Sequence, residues 1–280
     1  MNYHQALSNA QSILGKKTTK TPILDSEILL SFSLNIERVT LLINLENKIL
    51  EKNYEKFINL ILRRKKGEPI AYIIGVKEFW KNEYIVNSNV LIPRPDSEII
   101  VEEVLKIIPK KASLNILDIG TGSGCIILSI LKERKNCLGI GIDISAKALK
   151  VAKTNAKIQQ INNRIKFVNS DIDKFYFGKY DIILSNPPYI DSFGIKYLEN
   201  DIKDYEPKVA LDGGINGLSC IDTVITKSHN LIKKNGKLFI EIGNNQLDKI
   251  KKLLIKKNFY INKIAKDLGN NDRCILSTKH

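Results

Sequence analysis

Histidine is scarce in this chain. His4, His229 and His280 are the only three, they lie far apart, and none sits beside a motif. A histidine-based triad or a zinc site is not expected, and no metal is. Cysteine is scarce too. Cys125, Cys137, Cys220 and Cys274 are widely spaced and form no C-x-x-C pair, which reads as a reduced, metal-free, cytoplasmic protein. Cys125 and Cys274 sit in apolar runs, where buried free thiols belong. No stretch of 18 apolar residues occurs, so no membrane span is expected. The opening residues lack a basic region followed by an apolar one, so no secretory signal is expected. Arginine occurs only at 38, 63, 64, 94, 134, 164 and 273. The net charge of +14 is therefore mostly lysine. It is spread along the chain in short pairs that suit solvated helix ends, and it points only weakly to nucleic acid.

The chain is rich in β-forming apolar runs that end in polar or glycine-rich turns. Residues 181–190 read Asp-Ile-Ile-Leu-Ser-Asn-Pro-Pro-Tyr-Ile. A buried strand is expected through Ser185, and Pro187-Pro188 cannot continue a ladder. The chain must leave the sheet at Asn186 in a stiff extended form. An amide side chain, the Pro187 carbonyl and the Tyr189 ring are then held in fixed relation. Such a set suits a flat amide or amino group, though an Asn-Pro turn after a strand gives the same letters.

Upstream, Asn115-Ile-Leu-Asp118-Ile-Gly120-Thr121-Gly122-Ser123-Gly124 leads into an apolar helical run. The alternating glycines allow a ligand close to the main chain at a helix N-terminus. The spacing is neither a dinucleotide fingerprint, since residue 125 is Cys, nor a P-loop. A pyrophosphate ligand is disfavoured. A second strand, Leu138 to Asp143, ends in an acid placed to accept both hydroxyls of a ribose. A helix-initiating acid is the plainer alternative for Asp143.

At 280 residues and 43% hydrophobic content, the chain has room for a large domain and a small one. Residues 1–66 show helical patterns at Tyr3–Gly15, Pro22–Leu34, Asn35–Leu45 and Leu50–Lys65, with Asp25 and Asn35 suited to be caps or N-terminal acids. Residues 67–95 carry β-rich runs at Ile70–Gly75 and Tyr84–Val86 around Asn82, which predicts a hairpin linker. Residues 96–280 open with a helix over 96–108. Strands are then expected near 114–119, 138–143, 165–169, 180–185, 237–242, 259–266 and 273–278, mostly separated by helices. The fold class is α/β, a mostly parallel seven-stranded Rossmann-like sheet behind a small helical N-terminal domain. Gly120, Asp143, Asp171 and Asn186 all fall at strand carboxyl ends, where such sheets bind ligands. The charged connection from Tyr189 to about Gly217 suits a lid or a substrate-binding segment.

These motifs resemble the class I S-adenosylmethionine-dependent methyltransferases, and Asn186-Pro-Pro-Tyr189 resembles their amino-methyltransferase motif. With Arg63 to Trp80 around Gly67-Glu68-Pro69, Pro93-Arg94-Pro95, and Leu268 to Arg273, the chain resembles the release-factor glutamine methyltransferases (the PrmC/HemK family) nearly end to end. Asp96-Ser97 stands where that family usually has Glu-Thr, and Ile172 follows Asp171 where some members have an aromatic. The resemblance implies transfer of a methyl group from S-adenosyl-L-methionine to the glutamine side-chain nitrogen in the Gly-Gly-Gln motif of peptide chain release factors. It implies cofactor contacts from Asp118, Gly120, Thr121, Gly122, Ser123, Gly124, Asp143, Asp171, Ile172 and Asn186. It implies substrate contacts from Asn186, Pro187, Pro188 and Tyr189, with Asn186, Pro187 and Tyr189 catalytic. A basic surface would also help meet ribosome-related partners.

Overall fold

The computed structural model describes residues 1–279, and His280 lies outside the described residues. The chain divides into two compact units, residues 1–75 with 199–205, and residues 76–198 with 206 onward. The division falls between Gly75 and Val76, inside the segment read as a linker.

The first unit is helical: α1 (Tyr3–Thr18), α2 (Pro22–Leu34), α3 (Arg38–Ile43), α4 (Glu51–Lys65) and α5 (Ile70–Ile74). Asn2 starts α1 with a capping box, its side chain accepting from Gln5 N–H while the Gln5 side chain accepts from Asn2 N–H. Pro22 occupies the first turn of α2, where its missing N–H costs nothing. Asn35 ends α2 in left-handed conformation, φ 55°, so the next helix begins later and is shorter than the expected 35–45. Leu14, Leu29, Leu30, Leu41, Phe57 and Ile61 form the core. Arg64 is buried beside it and donates to Asp25 at 2.7 Å and Thr19 at 3.0 Å. The segment 199–205 joins this unit: Asp201 lies 3.9 Å from Arg64, and the Tyr205 hydroxyl donates to the Lys66 carbonyl.

Ile70–Gly75 was expected as a strand and is the helix α5. Its β-branched letters favour a strand, but it packs against α2 and α4 and buries Ala71, Tyr72 and Ile73. Packing overrides propensity in so short a run.

The second unit opens with the hairpin β1 (Val76–Phe79) and β2 (Asn82–Ile85). Its turn uses Trp80 at φ 49°, and Asn82 is the first residue of β2 rather than part of the turn. A 3₁₀ turn (Pro95–Ser97) leads into α6 (Glu98–Ile107). Then come β3 (Asn115–Ile119), α7 (Cys125–Glu133), β4 (Leu138–Asp143), α8 (Ala146–Ile158), β5 (Ile165–Asn169) and β6 (Tyr180–Ser185). After α9 (Asn200–Tyr205), which belongs to the first unit, follow α10 (Ser219–Leu231), β7 (Ile232–Glu241), α11 (Leu247–Lys256), β8 (Phe259–Lys266) and β9 (Asp272–Lys279).

The seven-stranded sheet has the order β5-β4-β3-β6-β7-β9-β8. β5 through β7 pair parallel, and β9 runs antiparallel to both neighbours. Alternate residues of each central strand serve opposite cores. Ile116, Ile182 and Leu184 join the side chains of α6 and α7, while Leu117 and Ile183 join those of α10 and α11. Burial on both faces is why these strands read as unbroken apolar runs. Chain order reverses between β3 and β6, which opens a crevice at their carboxyl ends.

Candidate active site

A cavity of about 390 Å³ occupies that crevice. Gly120 and Gly122 from the turn after β3, Asp143 from β4, Asp171 and Ile172 after β5, and Asn186, Pro187 and Pro188 after β6 all line it. The sequence placed these eight together. Asp118, Thr121, Ser123, Gly124 and Tyr189 are not among its lining residues.

The five outside residues support the wall. Gly120 and Gly122 hold φ of 73° and 55°, a left-handed region that side chains resist. Asp118 is 1% exposed and accepts from the Thr121 hydroxyl at 2.7 Å, which braces the turn from beneath. Burial pushes its carboxyl up to about 7, with the Thr121 bond opposing and the Asp143 charge adding to the rise. The Ser123 carbonyl accepts from Asn155 Nδ2 at 2.9 Å, and Gly124 caps α7.

Asp143 is committed on both oxygens. Oδ2 accepts from Gly122 N–H at 2.9 Å and Oδ1 from Ser145 N–H at 2.8 Å. It therefore ties the glycine turn to the start of α8. Burial raises its pKa, and the two backbone bonds pull against that. Asp171 accepts from Asp173 N–H at 3.1 Å and so starts a 3₁₀ turn.

Asn186 is half-buried. Its Nδ2 donates to Ser97 Oγ at 2.9 Å, and Oδ1 accepts no hydrogen bond among the described residues. The Tyr189 hydroxyl donates to Glu241 Oε1 at 3.3 Å, and its carbonyl accepts from Gln246 Nε2 at 3.0 Å. Burial, with the Glu241 charge, holds the Tyr189 phenol well above its ordinary pKa. Tyr189 is thus anchored by its tip.

A family profile described as the PrmC N-terminal domain matches residues 5–75, and one described as a methyltransferase domain matches residues 110–276. A release factor glutamine methyltransferase of Clostridium acetobutylicum is 36% identical over 282 residues, covering 100% of this chain and 99% of that protein. The chain belongs to the release factor glutamine methyltransferase family. A bifunctional methyltransferase of Rickettsia prowazekii is 38% identical over 290 residues, covering 97% of this chain and 56% of its own length. The chain thus spans little more than half of that relative. A solved methyltransferase of Pyrococcus furiosus shares the fold at a TM-score of 0.54 and 20% identity, covering 79% of this chain and 97% of that one.

Sequence reasoning missed Asn89, Val90, Leu91 and Ile144, which line the cavity, while Pro207, Val209 and Ala210 line it from the connection expected to serve as a lid or substrate-binding segment. Ile144 directly follows Asp143, and an apolar residue just after a strand-end acid was a usable signal. Arg94 pairs with buried Glu206, and Glu206 also accepts from Ile92 N–H at 3.1 Å. That ion pair joins residues 112 apart, and no local pattern announces it.

Proposed function

We propose that the protein transfers a methyl group from S-adenosyl-L-methionine to the side-chain amide nitrogen (N5) of the glutamine in the Gly-Gly-Gln motif of peptide chain release factors, in the cytoplasm. The observation that carries this reading is the character of the cavity. The chain has 44 lysines and arginines, yet none is among the described lining residues, while Asp143, Asp171 and Asp173 are. A nucleotide phosphate would find no cation there. A nucleoside with a positive charge fits: Asp143 for ribose, aliphatic Ile144 and Ile172 for a base, and a volume in the range of small-molecule sites.

S-adenosyl-L-methionine, when bound, supplies an electrophilic methyl on a sulfonium. The residues for holding it are the turn from Asp118 to Gly124, with Asp143, Asp171, Ile172 and Asn186. An amide nitrogen is a poor nucleophile because its lone pair is delocalised. Asn186 Oδ1 and the Pro187 carbonyl accept the two N–H groups of the glutamine amide and orient its nitrogen. Pro188 stiffens the segment and Tyr189 offers its ring to the amide plane. Positioning does most of the work. The helical residues 1–66 recognise the protein substrate, 67–95 link, and 96–280 carry the chemistry. Nucleic acid is not the substrate in this reading.

The test is label transfer from methyl-labelled S-adenosylmethionine to a release factor, to the same factor with its motif glutamine changed to alanine, and to duplex DNA. Label on the intact factor alone supports the proposal. Label on DNA, or on the alanine factor equally, overturns it.

A further inference from the structure

Nothing within Asn186-Pro-Pro-Tyr189 decides which way the Asn186 amide points. Flipped, it would present NH₂ where an acceptor is needed. Its orientation depends on Ser97, whose Oγ accepts from Nδ2 at 2.9 Å. A hydroxyl can also donate, and a Ser97 free to rotate would suit either orientation equally. Something has to hold the Ser97 proton away from Asn186.

Glu241, at the end of β7, is 1% exposed. Its Oε1 accepts from Tyr189, and its Oε2, shut off from solvent, has no hydrogen-bond partner among the described residues. Buried carboxylate oxygens rarely go unpaired. The Ser97 hydroxyl faces this carboxylate and favours its charged form. A buried hydroxyl proton without an assigned acceptor therefore sits next to a buried acceptor without a donor.

We propose that Glu241 is a positioning residue: it accepts the Ser97 hydroxyl proton on Oε2 and the Tyr189 hydroxyl proton on Oε1, and thereby fixes Asn186 Oδ1 toward the cavity. With its proton committed to Glu241, Ser97 offers Asn186 only lone pairs, and only the Nδ2-to-Ser97 orientation makes a bond. One carboxylate thus sets both polar ends of the motif. The idea rests on the reading of Asn186 as acceptor of the substrate amide.

Burial pushes the Glu241 carboxyl up to about 7, while Ser97, Arg273 and Tyr189 pull it down and Asp96 pushes it up. Behind it lie the buried thiols of Cys125 and Cys274, both with raised pKa. Arg273 is itself held by Asp267 at 2.8 Å and Asp96 at 3.2 Å. Protonated Glu241 donates to Ser97 instead of accepting, and the preference on Asn186 is lost. The sign follows: the rate is fully present above the folded pKa and falls as pH drops through it.

The test uses the full chain with S-adenosylmethionine and a release factor, in single turnover from acid to alkaline pH. Glu241→Gln keeps the shape and mimics the protonated acid. It should slow transfer roughly 10- to 100-fold at alkaline pH, the scale of a misplaced reacting group. Its S-adenosylmethionine affinity should stay within about twofold, since the loss is one of orientation. Its rate should also lose the wild-type fall on acidification. Ser97→Ala should lose as much, Ser97→Thr should restore most of the rate, and Ser97→Ala with Glu241→Gln should be no worse than either alone. Losses that add, or Glu241→Gln at the wild-type rate with the wild-type pH profile, would overturn the proposal. NMR of the Asn186 side-chain NH₂ reads the orientation without any substrate: Glu241→Gln should shift those resonances, and unmoved resonances count against the proposal. Should the wild type fail to label the motif glutamine, the functional reading falls and this spectrum still decides the role of Glu241.

Discussion

Replacing Asn186 separates acceptance from anchorage. Asn186→Ala removes Oδ1, the acceptor proposed to orient the substrate amide, and the Nδ2 bond to Ser97. The second loss is minor, because Ser97 Oγ is left short of a donor and not of an acceptor. Loss of one preorganised electrostatic partner costs about 10²–10³ in kcat, or roughly 2.7–4 kcal/mol. Cofactor affinity should stay within a few fold, since Asn186 is one contact of several and the glycine turn, Asp143 and Asp171 are untouched. Asn186→Asp keeps the shape and an acceptor but loses the NH₂. Its carboxylate then draws the Ser97 proton, so Ser97 turns from acceptor to donor and its link to Glu241 breaks. The aspartate also places a negative charge beside the carbonyl of the incoming amide. Asn186→Asp should therefore be no faster than Asn186→Ala. Single-turnover transfer to a release factor, with calorimetry of cofactor binding alongside, measures both effects. A near wild-type rate for Asn186→Ala would refute the role of the motif. An aspartate variant much faster than the alanine one would show that acceptance alone matters and that the Ser97 bond is idle.

Gly122→Val should abolish S-adenosylmethionine binding with the fold retained, because valine resists φ of 55° and puts a branched side chain in the cavity; unchanged calorimetric affinity would mean the turn is misassigned. Asp143→Ala should weaken that affinity by about 1.5–3 kcal/mol per lost charge-assisted bond, with turnover at saturation much less altered. Asp118→Asn should stabilise the unliganded fold at alkaline pH. The folded carboxyl stays protonated to about 7, whereas an unfolded one ionises near pH 4, so the advantage should grow across that window in thermal melts and vanish below it. Ile43→Asp changes a side chain 76% exposed on the helical unit. It should raise KM for the release factor and leave S-adenosylmethionine affinity alone; an unchanged KM argues against substrate recognition by this surface.

The parallel half of the sheet was legible because each strand is buried on both faces. Such strands write themselves as apolar runs stopped by a glycine, an acid or a proline. The expected 138–143, 165–169 and 180–185 match β4, β5 and β6 residue for residue. Ile70–Gly75 looked the same on paper, and only its packing partners make it a helix. The association of 199–205 with the first unit has no local signature, since Asp201 and Tyr205 meet Arg64 and Lys66 across more than a hundred residues. Glu241, like Ile144, was a missed residue with a readable signal. It ends an apolar strand as Asp143 does, and the rule that placed ligands beyond Gly120 and Asn186 applied one strand further along.

The strand ends also explain why a cation belongs here. Asp118 and Asp143 carry carboxyls that burial drives toward the neutral form, and few donors oppose the rise: Thr121 for the first, two backbone N–H groups for the second. Among the described residues, no lysine or arginine lines the cavity to balance them. A protein that only had to be stable would replace such acids with amides or apolar groups. Retaining them leaves a site that is under-neutralised until a positively charged ligand arrives, and the unfavourable burial then becomes differential affinity for that ligand. Each oxygen of Asp143 has a second lone pair beyond its backbone bond. The same carboxylate can therefore shape the glycine turn before binding and accept ligand hydroxyls after it, so the turn need not reorganise when the ligand enters.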